Sequence, residues 1–216
     1  IAMTEPNAGS DLAGMRSHAL DKGDHWLLNG SKTFISNGAL SDLIVVAART
    51  NANDRYGISL FLVEGTAPGL DRGRKLQKMG LHGQDTTELF FKDVRIPKEN
   101  LLGEREQGFV YMSKCLAVER LMSAITSIAH AQVAFDLTLQ YVKERRVFGK
   151  PIGAFQNSRF TLARLRARLD ALQCKVDRAV LLANAQELSA ESASAVKLLT
   201  SELEGEVIDA CVQLHG

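Results

Sequence analysis

Little in this 216-residue sequence announces a special architecture. Cysteine is scarce: Cys115, Cys174 and Cys211 are an odd number set in helical patterns, which excludes a disulfide framework and points to reduced thiols acting as small buried hydrophobes. Neither sign of charge is in excess. With 26 Lys and Arg against 25 Asp and Glu, the formal net charge is +1, so no bulk field recruits nucleic acid or an anionic membrane. An anionic ligand must be held by local groups. Long apolar runs are missing too: the longest, Leu43–Ala48, falls far short of the roughly 20 residues of a membrane-spanning helix, so no membrane insertion is expected. No glycine fingerprint for a dinucleotide follows a strand, and "NGSKT" lacks the earlier glycine of a phosphate loop. Without Cys-x-x-Cys or His-Glu-x-x-His, and with five scattered histidines, no metal is expected. Gly-x-Ser-x-Gly is absent as well. No leader precedes Ile1, so a targeting segment is either absent or lies outside these residues.

What is present is an ordinary globular composition, 45% hydrophobic and 24% charged, enough for one large domain or two smaller ones. The hydrophobic period changes near residue 105. Before it, β-rich runs predict strands near 25–28, 32–36, 43–49, 57–63 and 88–96, with a loop-rich excursion over 65–84. The pairs Asn29-Gly30 and Asn37-Gly38 predict hairpin turns, because both residues tolerate positive φ. After Gly108, Phe109, Met112, Leu116, Met122, Ile125, Ala129 and Val133 recur at helical spacing. Helices are predicted at about 108–145, 155–186 and 190–214. The expected fold is α+β: an antiparallel, barrel-like domain over 1–105, then an up-down helical bundle over 106–216.

Three stretches carry candidate chemistry. In "KCLAVERLMSA" a helix places Cys115, Leu116, Met122 and Ser123 on the face of Glu119, with no Lys or Arg three or four residues away. Either this carboxylate is desolvated in an apolar stripe, where it could act as a base toward a carbon acid, or it is bonded to an Arg from another segment. In "TEPNAGSD", Gly9 and Ser10 leave backbone N–H groups free for a phosphate and Thr4 offers a hydroxyl, or the run is simply a turn. In "ERRVFGKPIGAFQ", Arg145, Arg146 and Lys150 cluster beside Phe148, as anion ligands or as complements to a helix dipole.

Taken together, "MTEPNAGSD", "LNGSKTFISNG", "KMGLHGQDTTELFFKDVRIP", "ERRVFGKPIGAFQ" and "CVQLHG" resemble, in order and spacing, the acyl-CoA dehydrogenases, FAD enzymes of fatty-acid and amino-acid oxidation. The likeness covers essentially the whole chain. It implies a middle β domain followed by most of a C-terminal helical domain, with the family's N-terminal helical domain missing, so the chain is expected to be a fragment.

The resemblance also assigns roles. Ile1, Met3, Thr4, Gly9 and Ser10 would line the flavin, Thr4 at the pyrimidine edge and Ser10 also near the CoA ester. Phe34, Ile35 and Ser36 stand where many relatives have Trp-Ile-Thr, which leaves a smaller ring over the isoalloxazine. Arg145, Phe148 and Gln156 would hold FAD from a neighbouring subunit, with Gln213, Leu214, His215 and Gly216 as a second strip, implying a homodimer or homotetramer. Glu119 matches the base of the long-chain and isovaleryl branches, with Val118 and Arg120 beside the substrate, and "GRKLQKMGL" is most similar to the long-chain branch; Ala117-Val118 departs from the Pro-Gln expected there. Glu119 would remove the α-proton of a long- or medium-chain acyl-CoA as the β-hydrogen leaves as hydride, giving the trans-2-enoyl-CoA, with an electron-transferring flavoprotein as acceptor. A branched-chain dehydrogenase, an acyl-CoA oxidase and a non-catalytic acyl-CoA-binding protein are the alternatives. The compartment implied is the cytoplasm in a bacterium and the mitochondrial matrix in a eukaryote.

Overall fold

The structure, a computed structural model, describes residues 1–216 and divides into two compact units, Ile1–Ser113 and Lys114–Gly216. The first is built on β1 (His18–Asp21), β2 (His25–Ser36), β3 (Leu43–Arg49), β4 (Ile58–Glu64), β5 (Leu70–Arg72), β6 (Thr86–Pro97) and β7 (Leu101–Leu102). Their order is β5-β6-β2-β1-β3-β4-β7. The sheet is open rather than barrel-like, because its edges are strands of three and two residues, β5 and β7, that do not pair with each other. It is also mixed: β1 and β3 run parallel through His18 and Arg49, while the other ladders are antiparallel.

Apolar residues cover both sheet faces. Trp26, Leu28, Val46, Phe61, Leu89 and Ile96 belong to one buried cluster, and Met15, Ala47, Ile58, Leu60 and Met112 to another. The run Leu43–Ala48 is apolar throughout because β3 is central and contributes to both.

Neither Asn-Gly pair makes a hairpin. Asn29 and Gly30 lie inside β2, which runs unbroken through the two strands expected there. The Asn29 side chain is spent across the ladder, donating from Nδ2 to Asp93 Oδ1 at 3.0 Å and accepting the Asp93 N–H at 2.9 Å. Asp93 has φ +51° at a register shift between β2 and β6, so the pair stabilises a bulge instead of a turn. Gly30, at φ +144°, lets Ser17 approach so closely that a Cβ here would lie 2.2 Å from its Oγ. Asn37-Gly38 does turn the chain, but toward β3, and β1 lies between β2 and β3.

The second unit holds most of α1 (Gly108–Glu144), the small hairpin β8 (Arg146–Val147) and β9 (Lys150–Pro151), α2 (Gln156–Asn184) and α3 (Ala190–His215). These limits agree with the sequence expectation to within two residues. Ser189 caps α3, accepting the Ser192 N–H at 3.1 Å. Leu121, Ala124, Ile128, Phe135, Leu165, Leu169 and Leu203 are among the buried residues that pack together. On α1 the buried stripe differs from the one the spacing suggested: Val118, Met122, Val133 and Leu137 form a second apolar face that is exposed.

Replacing Gly30 with Ala should cost about 2–4 kcal/mol, from strain at positive φ and overlap with Ser17. Gly9→Ala, where a Cβ meets nothing within 4 Å, should stay within about 0.5 kcal/mol. Urea unfolding of the full-length protein compares the two; equal midpoints would contradict the close approach of Ser17.

Candidate active site

Residues Ala2–Ala8 form a strap along the sheet. Ala2 donates to Val45 O at 2.7 Å and accepts from Ala47 N at 3.1 Å, while Thr4 O accepts from Thr33 N at 2.9 Å. Glu5 and Ala8 exchange backbone bonds of 3.0 and 3.1 Å, closing the turn at Pro6-Asn7. Beneath the strap, Lys32 Nζ donates to Glu5 Oε1 at 2.8 Å and to Met3 O at 3.0 Å. The Glu5 carboxylate also accepts the N–H groups of Arg16 at 2.7 Å and Ser17 at 3.1 Å. Side-chain exposure is 0% for Lys32 and 7% for Glu5. Burial pushes the Glu5 carboxyl upward, but the Arg16 N–H, the Lys32 ammonium and the Ser17 side chain together hold it below its ordinary range. Burial lowers the Lys32 ammonium, against the pull of Glu5.

Phe34 follows directly. It has φ +57°, uncommon for a side chain of this size, and the residue is 67% exposed. Between Lys32 paired with Leu89 and Ile35 paired with Thr87, two residues of β2 oppose one of β6, and Phe34 is the residue thrown outward. The hydrogen bond from Thr33 to Thr4 places the strap beside this bulge. Thr4 and Met3 are half-buried; Ile1, Gly9, Ser10 and Ser36 are exposed. Ile35 is 5% exposed in the sheet core, which leaves only its backbone for a ligand.

The sequence reading missed two features here. The Glu5–Lys32 pair is one, although strand alternation puts Lys32 on the face of Trp26 and Leu28. The other is a groove of about 390 Å³ whose lining includes Phe34, Arg74, Lys75, Lys78 and Thr86. Lys75 and Lys78 donate to the carbonyls of His82 and Gln84 rather than to carboxylates. Its signal was the cation run in "DRGRKLQK".

In the helical unit, the two strips expected to contact cofactor lie at one end. His215 stacks on Tyr141 with centroids 4.1 Å apart and its carbonyl accepts the Tyr141 hydroxyl at 3.3 Å, while Arg145 N donates to Tyr141 O at 2.9 Å. Phe148 and Gly149, at φ +49° and +78°, form the two-residue turn between β8 and β9. Phe148 is 94% exposed. Gln156 opens α2 and is exposed, as are Arg145, Gln213 and Gly216; Leu214 is half-buried.

Glu119 is exposed, as are Cys115, Met122 and Ser123. The expectation of a carboxylate buried in an apolar stripe does not hold within this chain. Glu119 lies two positions before Leu121 of the buried face, about 200° around the helix. Nor does an arginine hold it: the ion pairs of this unit are His130–Glu204, Arg164–Glu206, Arg166–Asp170 and Arg168–Glu206. Val118 is exposed and Arg120 half-buried.

Comparison with known families gives two matches in tandem, acyl-CoA dehydrogenase middle domain over residues 1–94 and acyl-CoA dehydrogenase C-terminal domain over 106–216. The chain belongs to the acyl-CoA dehydrogenase family. The long-chain specific acyl-CoA dehydrogenase of Mus musculus mitochondria is 48% identical across the whole chain, which covers 51% of that protein. The chain thus spans about half the length of the curated long-chain relatives it matches. A crystal structure of an acyl-CoA dehydrogenase from Geobacillus kaustophilus superposes with a TM-score of 0.97 at 46% identity, over all of this chain and 57% of that one. A glutaryl-CoA dehydrogenase from Mycobacterium smegmatis, solved in complex with FADH2, gives 0.93 at 30% identity, over all of this chain and 54% of that one.

Acyl-CoA dehydrogenases are FAD-dependent. The sheet unit fits such a group: an exposed aromatic ring held in a strained conformation, exposed hydroxyls on Ser10 and Ser36, and a glycine at 9 with open space beside it.

Two measurements check this geometry. Phe34→Gly relieves a left-handed conformation costing about 1–2 kcal/mol in an L-residue, so the full-length apoprotein should unfold no earlier than wild type; a clear drop would mean that the ring packs. Glu5→Gln leaves a buried ammonium uncompensated, at a cost of about 3–5 kcal/mol. The carboxylate's contribution is fully present above pH 4.5, its ordinary value, and is lost as the pH falls through the lowered folded-state value. The stability gap between wild type and Glu5→Gln should therefore narrow as the pH drops below 4.5, read from denaturant midpoints; a constant gap would contradict it.

Proposed function

We propose that the protein is an FAD-dependent acyl-CoA dehydrogenase acting on a long- or medium-chain acyl thioester. One observation carries the reading: the match to both family domains extends to a long-chain specific relative at 48% identity across every residue of the chain. The outward Phe34 ring and the strap beside it support the cofactor half of the reading.

In this reading Thr4, Gly9, Ser10, Phe34, the Ile35 backbone and Ser36 hold the flavin. Arg145, Phe148, Gln156 and the strip Gln213–Gly216 contact a cofactor shared with a second copy of the chain, which makes the assembly a homodimer or homotetramer. Bound FAD supplies an acceptor for two electrons and the β-hydrogen. The Glu119 carboxylate takes the α-proton of the thioester, with Val118 and Arg120 flanking the acyl chain and Ser10 near its CoA ester. Exposure of Glu119 and absence of an ion pair leave it free to serve as a base. The protein contributes orientation and proton transfer, and the redox chemistry belongs to the cofactor. An electron-transferring flavoprotein is the proposed acceptor. None of the helices is long and apolar enough to cross a membrane.

The full-length protein should purify yellow, and anaerobic long-chain acyl-CoA should bleach the flavin band; a colourless protein that binds acyl-CoA would overturn the reading. Glu119→Gln should retain FAD and bind acyl-CoA, yet slow anaerobic single-turnover reduction by about 10²–10⁴-fold. Reduction at the wild-type rate would remove Glu119 as the base.

A further inference from the structure

We propose that the buried Glu5–Lys32 pair is a positioning device for the cofactor face: it pins the strap against β2 and thereby sets where Phe34 presents its ring. The proposal rests on the flavin reading above.

The geometry is local and directional. Lys32 holds the strap at two consecutive points, the Met3 carbonyl and, two residues on, the Glu5 carboxylate. The Thr4 carbonyl between them takes the Thr33 N–H. Pairing of β2 with β6 stops at Lys32 opposite Leu89 and resumes at Ile35 opposite Thr87, with Phe34 left-handed in the gap. The strap is thus fixed by the residues that immediately precede the bulge. Beyond Glu5, Pro6, Asn7, Gly9 and Ser10 are exposed and Ala8 is buried by apolar packing, so no other buried polar side chain of residues 6–10 duplicates this hold.

The chemistry of the hold points the same way. A well-packed apolar pair can replace a buried ion pair with no loss of stability, whereas a short charge-assisted bond fixes distance and direction. Glu5 gathers three donors from two segments, Lys32 on β2 and the N–H groups of Arg16 and Ser17. One carboxylate therefore ties the strap to β2 and to the approach of β1.

The test uses the full-length protein and three readouts: the FAD dissociation constant of the apoprotein, the visible circular dichroism of the bound flavin, and apoprotein melting. Lys32→Met leaves Glu5 with its two backbone donors and should weaken FAD at least tenfold with an altered flavin signal. Glu5→Gln combined with Lys32→Met removes both charges. If the pair positions the cofactor face, the double variant should recover melting toward wild type while FAD remains weak and its dichroism altered. Recovery of melting and FAD affinity together would overturn the proposal, as would unchanged FAD binding in Lys32→Met. A double variant that does not fold would also overturn it, making the pair a requirement of folding. Should Lys32→Met alone not fold, the double variant carries the same decision. Wild-type protein with no affinity for FAD would overturn the flavin reading and this proposal with it, whereas normal wild-type binding with unaffected variants defeats the proposal alone.

Discussion

An ammonium with no exposed surface, 2.8 Å from a carboxylate, is the contact around which the functional end of the sheet unit is arranged. Such a charge is tolerated inside a protein only when its partner and hydrogen bonds are kept in place. Glu5 meets that demand with two backbone N–H groups besides Lys32. Because those donors belong to Arg16 and Ser17, the contact also fixes the chain entering β1. Ser17 in turn occupies the space left by Gly30 on β2. A single polar contact therefore sets the relation of the strap, β1 and β2.

The helical unit is governed by apolar packing, and its ion pairs lie at its surface. Leu121, Ala124, Ile128 and Phe135 of α1 meet the buried faces of α2 and α3. What distinguishes one end is the turn with Phe148 and the stacking of His215 on Tyr141. Each unit carries a phenylalanine at positive φ with its ring in solvent, Phe34 in the sheet and Phe148 in the hairpin. Strain of this kind persists where surrounding structure over-determines it, and it concentrates at sites that bind.

Helix limits were legible in the sequence because their signal, the apolar spacing within each helix, is local. The α+β class followed from the change of period. Asn29-Gly30 was misread because its turn chemistry is used by partners distant in sequence, Asp93 for the amide and Ser17 for the missing Cβ. Strands β1 and β5 were missed because they are four and three residues long and take their order from neighbours. Thr4, Gly9, Ser10, Phe34 and Ser36 were singled out as candidates through motif likeness alone, and the positive φ that distinguishes Phe34 has no sequence signature outside Gly or Asn. The environment of Glu119 went astray for another reason: α1 is apolar on two faces, and periodicity alone does not say which one is buried.

Lys32 also differs from its fellow lysines as a nucleophile. Amine acylation requires a free, deprotonated nitrogen that a reagent can reach, and Lys22, Lys75, Lys114 and Lys143 are exposed at the surface. The Lys32 amine is enclosed by Glu5, the Met3 carbonyl and Met15. Activated thioesters acylate accessible amines without any catalyst, so a protein working among them would accumulate adducts on those outer lysines. The ammonium beneath the strap would stay chemically silent for as long as the strap is closed, and its labelling would report that the strap had opened.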